Sequence, residues 1–222
     1  MGMEEIINYY DNLAKTYDED RFDNSYGKFI DKQERNILNK LLTKKEIVLD
    51  LACGSGRFMN YADYGIDASK EMVNISQEKF PDKKIHLSYA EKTPLEENSI
   101  DTILCFHLFM HLNIEKVKMI LNECDRILTK QGRIIFDIPS SRRRQLISYK
   151  NRGWHGNFSL TNQEIKELNS NFVINRMFGI LFIPIHRIPL RIRRYFITLD
   201  TILSNSFLKE YSSYQIIELV KK

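Results

Sequence analysis

An apolar segment that carries a carboxylate and runs into a loop of small residues is the part of the sequence best suited to holding a nucleotide-like ligand. The segment is Val48-Leu49-Asp50-Leu51, and the loop is Ala52-Cys53-Gly54-Ser55-Gly56. Gly54 and Gly56 let the backbone turn sharply and approach a ligand where a Cβ would clash. In open α/β folds such a strand delivers its loop to the carboxyl edge of the sheet, where ligands bind. An ordinary strand-to-helix turn has the same composition, so this stretch alone leaves both interpretations open.

A second carboxylate, Asp67, ends a short strand that begins at Tyr64. Its two oxygens can accept hydrogen bonds from the two hydroxyls of a ribose. Dinucleotide enzymes place a small residue at the end of Gly-x-Gly-x-x-Gly, whereas this chain has Met59 there. Their acid also follows the loop at a longer interval, about 20 residues. Both departures disfavour a dinucleotide cofactor.

The elements that must position these carboxylates alternate between strands and helices. Strand patterns cover residues 46–51, 64–67, 85–89, 99–106 and 133–138, and helices are predicted after Ser69 and Asn113. This alternation predicts an α/β fold with a doubly wound (Rossmann-like), mostly parallel sheet. Further strand patterns at 172–178 and 212–220 bring the sheet to seven strands, with an antiparallel C-terminal edge strand. The interval from Gly56 to Asp67 is short for a parallel crossover, so we expect a curtailed or irregular helix there.

The chain length fits one domain over residues 1–222. Within it we expect an N-terminal helical cap (1–45), a cofactor-binding core (46–140) and a substrate-side segment (141–222) with a lid-like insert (179–209). The net charge is +4, but from residue 141 onward Lys and Arg outnumber Asp and Glu by fourteen to five. A basic region of this kind suits an anionic substrate, a membrane surface or nucleic acid, and it also occurs as plain solvated surface.

The three cysteines, Cys53, Cys105 and Cys124, are an odd number without paired spacing. The sequence therefore predicts neither a disulfide framework nor a zinc knuckle. Unpaired thiols, and the lack of a leader pattern or an 18-residue apolar run, favour a cytoplasmic setting.

Five segments, in the expected order, resemble the motifs of class I S-adenosylmethionine-dependent methyltransferases. The resemblance covers about residues 5–140 and fits best the small-molecule branch of quinone-type and related methyltransferases, including Tyr-Asp-x-Asp-Arg-Phe at 17–22. The segments are Asp50-Leu-Ala-Cys-Gly-Ser-Gly-Arg-Phe58, Gly65-Ile-Asp-Ala-Ser-Lys-Glu-Met72, Ala90-Glu-Lys-Thr-Pro-Leu95, Ser99-Ile-Asp-Thr-Ile-Leu-Cys-Phe-His-Leu-Phe-Met-His-Leu112 and Asp125-Arg-Ile-Leu-Thr-Lys-Gln-Gly-Arg133.

The resemblance implies S-adenosyl-L-methionine as cofactor and S-adenosyl-L-homocysteine as product. It implies that Asp50 holds the ammonium group, Asp67 the ribose, and Ala68 and Met72 the adenine. The family often has Asp where this chain has Tyr89, and Glu91 could replace that contact. The full set of expected cofactor-binding residues is Asp50, Ala52, Gly54, Gly56, Asp67, Ala68, Met72, Ala90, Glu91, Cys105, Phe106, Tyr17 and Arg21.

The candidates for the substrate side are His107, His111 and Trp154. The two histidines have a spacing that can grip a metal ion, but no third ligand follows at motif spacing, so we expect no metal. In-line methyl transfer depends mainly on alignment, and it needs a general base only when the acceptor atom is protonated. No catalytic residue is therefore assigned.

The acceptor is expected to be a small, partly apolar molecule. The fourth strand ends without the Asn/Asp-Pro-Pro-Tyr sequence of many nucleobase methyltransferases, and no RNA-binding module is visible, so no nucleic-acid partner is expected. Residues 178–197 combine apolar side chains with four arginines and fit a lid, a membrane-facing surface or a cap on the core. The alternatives for function are a cofactor-binding protein without transfer activity, a lipid or quinone methyltransferase at a membrane surface, and an NAD-dependent oxidoreductase. The oligomeric state is not indicated.

Overall fold

Seven strands form one sheet in the computed structural model, which describes residues 2–43, 45–150 and 156–222. In chain order the strands are β1 (Val48–Leu51), β2 (Tyr64–Asp67), β3 (Lys84–Leu87), β4 (Ile100–Cys105), β5 (Leu128–Pro139), β6 (Phe172–Ile180) and β7 (Tyr214–Lys221). Their spatial order is β3-β2-β1-β4-β5-β7-β6. The chain winds outward from β1 to β3 and then returns to β4 on the other side of β1, so the switch point lies between β1 and β4.

The pairs among β1 to β5 are parallel, and β7 is antiparallel to both of its neighbours. The predicted fold class, a mostly parallel doubly wound sheet with an antiparallel C-terminal strand, is therefore confirmed. The C-terminal strand β7 is not the edge strand, however. It lies between β5 and β6, and β6 forms the edge of the sheet.

The helices cover both faces of the sheet. They are α1 (Met3–Leu13), α2 (Tyr17–Phe22), α3 (Ser25–Leu41), α4 (Lys70–Lys79), α5 (Ile114–Ile127), α6 (Ser141–Leu146), α7 (Asn162–Leu168) and α8 (Leu190–Ser204). On one face α5 buries Val117, Ile120 and Leu121 against the sheet, as its apolar spacing predicts. On the other face α3 buries Ile37, Leu38 and Leu41. Within the described ranges, no helix is long and apolar enough to cross a membrane.

The crossover from β1 to β2 is irregular, as its shortness predicts. Residues 54–61 form consecutive turns, in which Met59 N donates to Gly56 O (3.2 Å) and Tyr61 N donates to Phe58 O (2.8 Å). Met59 is fully buried, and its sulfur would lie 2.9 Å from a Cβ on Gly65. The large residue that disfavours a dinucleotide loop thus fills the space under β2.

The insert (179–209) is fixed to α3. Asp200, a buried carboxylate of α8, accepts hydrogen bonds from Gln33 Nε2 (2.7 Å) and from the backbone N–H of Ile183 (2.7 Å). Gln33 Oε1 in turn accepts from the backbone N–H of Leu181 (3.1 Å). The insert therefore packs on the α3 face of the sheet.

Candidate functional site

A cavity, termed the main cavity, lies at the carboxyl ends of β1, β2 and β4, next to the switch point. It encloses about 860 Å³, part of which is open to solvent. Nine of the predicted cofactor-binding residues line it: Tyr17, Ala52, Gly54, Asp67, Ala68, Met72, Ala90, Glu91 and Phe106.

Asp67 is held in place by backbone groups on both sides of the cavity rim. Its Oδ2 accepts from the N–H of Gly54 (2.8 Å), and its Oδ1 accepts from the N–H of Ser69 (2.9 Å). Burial raises the pKa of Asp67, although these hydrogen bonds favour the ionised form. A carboxylate has about four acceptor positions, so the side chain keeps capacity for two ligand hydroxyls.

The two glycines of the loop have different functions. Both have positive φ, +54° at Gly54 and +90° at Gly56. A Cβ on Gly54 would meet no protein atom within 4 Å, whereas one on Gly56 would lie 2.7 Å from Ser76 Oγ and 2.9 Å from the ring of Phe80. We expected both glycines to admit a ligand. The missing Cβ of Gly56 instead leaves room for the side chains of Ser76 in α4 and of Phe80 at its C-terminal end. Gly56 is not among the described residues that line the main cavity.

Asp50 and Cys105 are not among the described residues that line the main cavity. Asp50 lines a smaller adjoining cavity together with Arg57, and burial raises the pKa of its carboxyl to about 7 although Arg57 opposes the shift. Cys105 is fully buried, which raises the pKa of its thiol, and it does not line the main cavity. Cys105 is therefore a packing residue at the end of β4.

The N-terminal helix covers the main cavity with four side chains that the sequence analysis missed: Met3, Ile6, Ile7 and Tyr10. Their spacing along α1 is the signal that could have found them. Asp11 fixes the helix over the site, since its Oδ1 accepts from Ser69 Oγ (2.5 Å) and from the N–H of Glu71 (3.2 Å). Helix α2 is fixed similarly, because Ser55 Oγ donates to Asp18 (2.5 Å).

The segment that contains Ala90 and Glu91 forms the wall opposite the loop. Glu91 Oε1 accepts from Lys116 Nζ (2.6 Å), so its carboxylate already has a cationic partner. Tyr89 also lines the cavity and is 46% exposed. Replacement of the family's usual Asp by Glu91 stays a prediction.

His107 lies between two buried carboxylates that no local sequence pattern indicated. Its Nε2 is 3.2 Å from Glu34 Oε1, and its Nδ1 is 3.3 Å from Asp137 Oδ2. Its backbone N–H donates to Asp137 Oδ1 (2.5 Å) in a residue with φ +58°. Burial raises the pKa of Glu34, but the charges of Arg57 and His107 outweigh it and hold that pKa at about 2.

The same three side chains offer ligand atoms within 4.8 Å of one another, so a divalent ion could be held there. Arg57 Nη1 already lies 2.5 Å from Glu34 Oε2 and would repel such an ion. The expected absence of a metal therefore stays a prediction.

His107 and His111 both line the main cavity, and among the described residues the possible ligand cluster around His107 contains Glu34 and Asp137 but not His111. Residues Phe109–His111 form a 3-10 helix, and His111 Nε2 lies 3.2 Å from the hydroxyl of Tyr10. Trp154 lies outside the described residues. Arg21 does not line the main cavity; it lines a second one described below.

A doubly wound sheet with a glycine loop and a strand-end carboxylate at its switch point defines an α/β protein that binds a nucleoside-containing cofactor. Residues 49–136 match the family model described as "Methyltransferase domain". Over these residues the chain is similar to the class I S-adenosylmethionine-dependent methyltransferases.

Two curated proteins align with the chain over about 60% of its length. The chain is 36% identical over 143 residues to an uncharacterized protein of Methanocaldococcus jannaschii, covering 63% of this chain and 53% of that one. It is 29% identical over 148 residues to a ubiquinone/menaquinone biosynthesis C-methyltransferase of Campylobacter jejuni, covering 60% and 62%. The alignments thus span between half and two thirds of these relatives' length.

Among solved structures, the magnesium protoporphyrin IX methyltransferase of Synechocystis PCC 6803, with bound S-adenosylmethionine, has a similar fold. The TM-score is 0.59 at 14% sequence identity, over 96% of this chain and 97% of that one.

Proposed function

We propose that the chain binds S-adenosylmethionine in the main cavity and transfers its methyl group to a small-molecule acceptor. The observation that carries this proposal is the position of Asp67, fixed by Gly54 and Ser69 at the rim of a cavity of about 860 Å³. The family similarity and the cofactor named for the Synechocystis enzyme support the same cofactor.

The residues of the cavity fit the parts of this cofactor. Asp67 would accept hydrogen bonds from the ribose hydroxyls, and Ala68, Met72 and Ala90 would border the adenine. Gly54 would leave space for the amino-acid end, and Asp50 beneath it would balance the ammonium charge. When bound, S-adenosylmethionine supplies an electrophilic methyl group.

The contribution of the chain itself is alignment and exclusion of water. The apolar residues Met3, Ile6 and Ile7 close the cavity from the side of α1. Phe106 and His107 form part of its wall at the end of β4. Because alignment alone supplies a large part of the rate enhancement, no general base is required by the proposal.

The test is the release of S-adenosylhomocysteine from S-adenosylmethionine across a panel of small phenols, amines and quinols. Release with at least one acceptor, above the rate without acceptor, supports transfer. Tight cofactor binding with no release across the panel favours the rival, a cofactor-binding protein without transfer. Retention of NAD instead of S-adenosylmethionine would favour an oxidoreductase.

A second candidate, methylation of a lipid or quinone at a membrane surface, is favoured by the surface of α8. Leu190, Tyr195 and Ile202 are at least 60% exposed, and Arg191 and Arg194 lie on the same helix. Such helices bind anionic headgroups. No described residue of 179–209 lines the main cavity, and a lid function of this insert over a substrate pocket stays a prediction. Co-sedimentation with anionic vesicles, lost at high salt, would support this candidate, and its absence at low salt would exclude it.

A further inference from the structure

A second cavity meets the main one at His107. It encloses about 550 Å³ between α2, the start of α3 and the start of β7, and its walls include Arg21, Tyr26, His107 and Tyr214. Since His107 lines both cavities, a molecule in the second cavity would reach the end of β4 beside the proposed cofactor. The inference that follows rests on the proposed function.

Arg21 is the cation of this cavity; it is exposed to solvent, and no carboxylate of the described residues pairs with it. Among residues 2–43, 45–150 and 156–222, none forms an ion pair with its guanidinium within 4.0 Å. Asp20 is the one acid among the described wall residues, and it is exposed. Arginine does not lose its proton in proteins, so this charge persists.

Tyr26 and Tyr214 line the second cavity together with Arg21, and Tyr10 and Tyr17 lie near enough to interact electrostatically with its guanidinium. Burial raises the pKa of each of these hydroxyls, so they stay neutral at physiological pH. Neutral phenols cannot neutralise a guanidinium, but they can donate hydrogen bonds. A persistent cation among hydroxyl donors is suited to an anion.

The backbone of Arg21 is fixed by close packing at the corner between α2 and α3. A Cβ on Gly27 would lie 2.1 Å from Arg21 O and 2.7 Å from Phe22 Cα. Asn24 Oδ1 caps α3 by accepting from the N–H groups of Tyr26 (3.0 Å) and Gly27 (2.9 Å). This corner directs Arg21 to the second cavity, while Tyr17, one helical turn earlier, lines the first.

We propose that the methyl acceptor is a small carboxylate-bearing molecule, bound in the second cavity with its carboxylate on Arg21 and its acceptor atom beside His107. Guanidinium forms two parallel hydrogen bonds to a carboxylate, which fixes orientation as well as position. Phe22, Ile30 and Tyr26 provide apolar surface for the rest of the molecule. Arg21 is thus an acceptor-binding residue, not part of the cofactor site.

Calorimetric titration of benzoate and of its uncharged analogue benzamide, each with and without S-adenosylhomocysteine, tests this proposal. We expect benzoate to bind the wild-type chain at least tenfold more tightly than benzamide. R21Q should weaken benzoate at least tenfold and leave the affinity for S-adenosylhomocysteine unchanged. The matched control is R142Q, because Arg142 does not line the second cavity and pairs with Glu210 outside it; it should change neither affinity.

Three results would overturn the proposal: undetectable benzoate binding, equal affinity for benzamide, or an R21Q variant that binds benzoate as the wild type does. Loss of S-adenosylhomocysteine binding in R21Q would also overturn it, by assigning Arg21 to the cofactor. Failure of the wild type to bind S-adenosylhomocysteine contradicts the proposed function instead, and the titrations without it still decide whether Arg21 binds an anion.

Discussion

The Nε2 of His107 lies 3.2 Å from Oε1 of Glu34, a carboxylate with no exposed side-chain surface. Glu34 projects from α3, and His107 follows β4, so this contact joins the helical layer to the carboxyl edge of the sheet. Arg57, next to the glycine loop, contacts the other oxygen of Glu34 at 2.5 Å. The three side chains connect the proposed cofactor loop with the proposed acceptor side.

Replacement of Glu34 by Gln should destabilise the protein, because it leaves Arg57 partly unbalanced in a buried site. Breaking a buried ion pair from one side costs about 3–5 kcal/mol. Urea unfolding at neutral pH measures this cost. D31N is the control, since Asp31 also contacts Arg57 but is partly exposed, and it should cost less. Equal stability of E34Q and the wild type would contradict the electrostatic account.

The stabilisation by Glu34 should depend on pH in a defined direction. The folded-state pKa is about 2, below the ordinary value of 4.5 for the unfolded chain. A lowered carboxyl pKa gives stability that is complete above the unfolded value and is lost as the pH falls toward the folded value. The difference in unfolding free energy between the wild type and E34Q should therefore shrink from about pH 4.5 downward. A constant difference across that window would be inconsistent with the shift.

Binding of S-adenosylmethionine should strengthen with pH around neutrality because of Asp50. Its pKa is raised to about 7 by burial, and only the ionised form balances a bound ammonium. Dissociation constants at pH 6 and pH 8 should differ by roughly tenfold, since ionisation rises about tenfold across that interval. In D50N this dependence should disappear. If D50N keeps the full pH dependence, another group is responsible.

Alanine at the two loop glycines should affect different properties. G54A should lower the affinity for S-adenosylmethionine with a modest stability cost of about 1–2 kcal/mol, the usual cost of a left-handed backbone. G56A should cost about 1–3 kcal/mol more, because its Cβ would overlap Ser76 and Phe80. Thermal unfolding and calorimetry on both variants separate the two effects. A G56A variant no less stable than G54A would contradict the packing argument.

Chelation of divalent ions should leave methyl transfer unchanged. Glu34, His107 and Asp137 lie close enough together to bind a metal ion. The guanidinium of Arg57 already pairs with Glu34, however, and its positive charge would repel a metal cation. Dialysis against EDTA, followed by assay with and without added Mg²⁺ or Zn²⁺, measures the effect. Activity that is lost on chelation and restored by one ion would establish a metal site.

Local patterns could predict the sheet and the residues at strand ends, because strand-end positions in a doubly wound fold have a fixed relation to the ligand edge. The position of Asp67 at the end of β2 and the irregular crossover before it follow from such patterns, and the binding function of Asp67 stays a prediction. Met3 and Tyr10 belong to an ordinary apolar helix pattern, and nothing local distinguishes a helix over a cavity from one over the core. Glu34 and Asp137 meet His107 only through tertiary packing.

The cavity that Arg21 lines likewise depends on tertiary packing and could not be predicted from local sequence. Tyr17 and Arg21 are one turn apart and were assigned together, but the packing of Gly27 against Arg21 and Phe22 sets the angle between α2 and α3. That angle places the two side chains in different cavities.

Calorimetric titration of S-adenosylmethionine into the wild type, D67A and D82A tests the central claim most directly. Asp82 is an exposed carboxylate outside the main cavity and serves as the matched control. Loss of charge-assisted hydrogen bonds costs about 1.5–3 kcal/mol, so D67A should bind roughly ten- to 150-fold more weakly. D82A should bind as the wild type does. Unchanged affinity in D67A, or no binding by the wild type, would contradict the assignment of this cavity to S-adenosylmethionine.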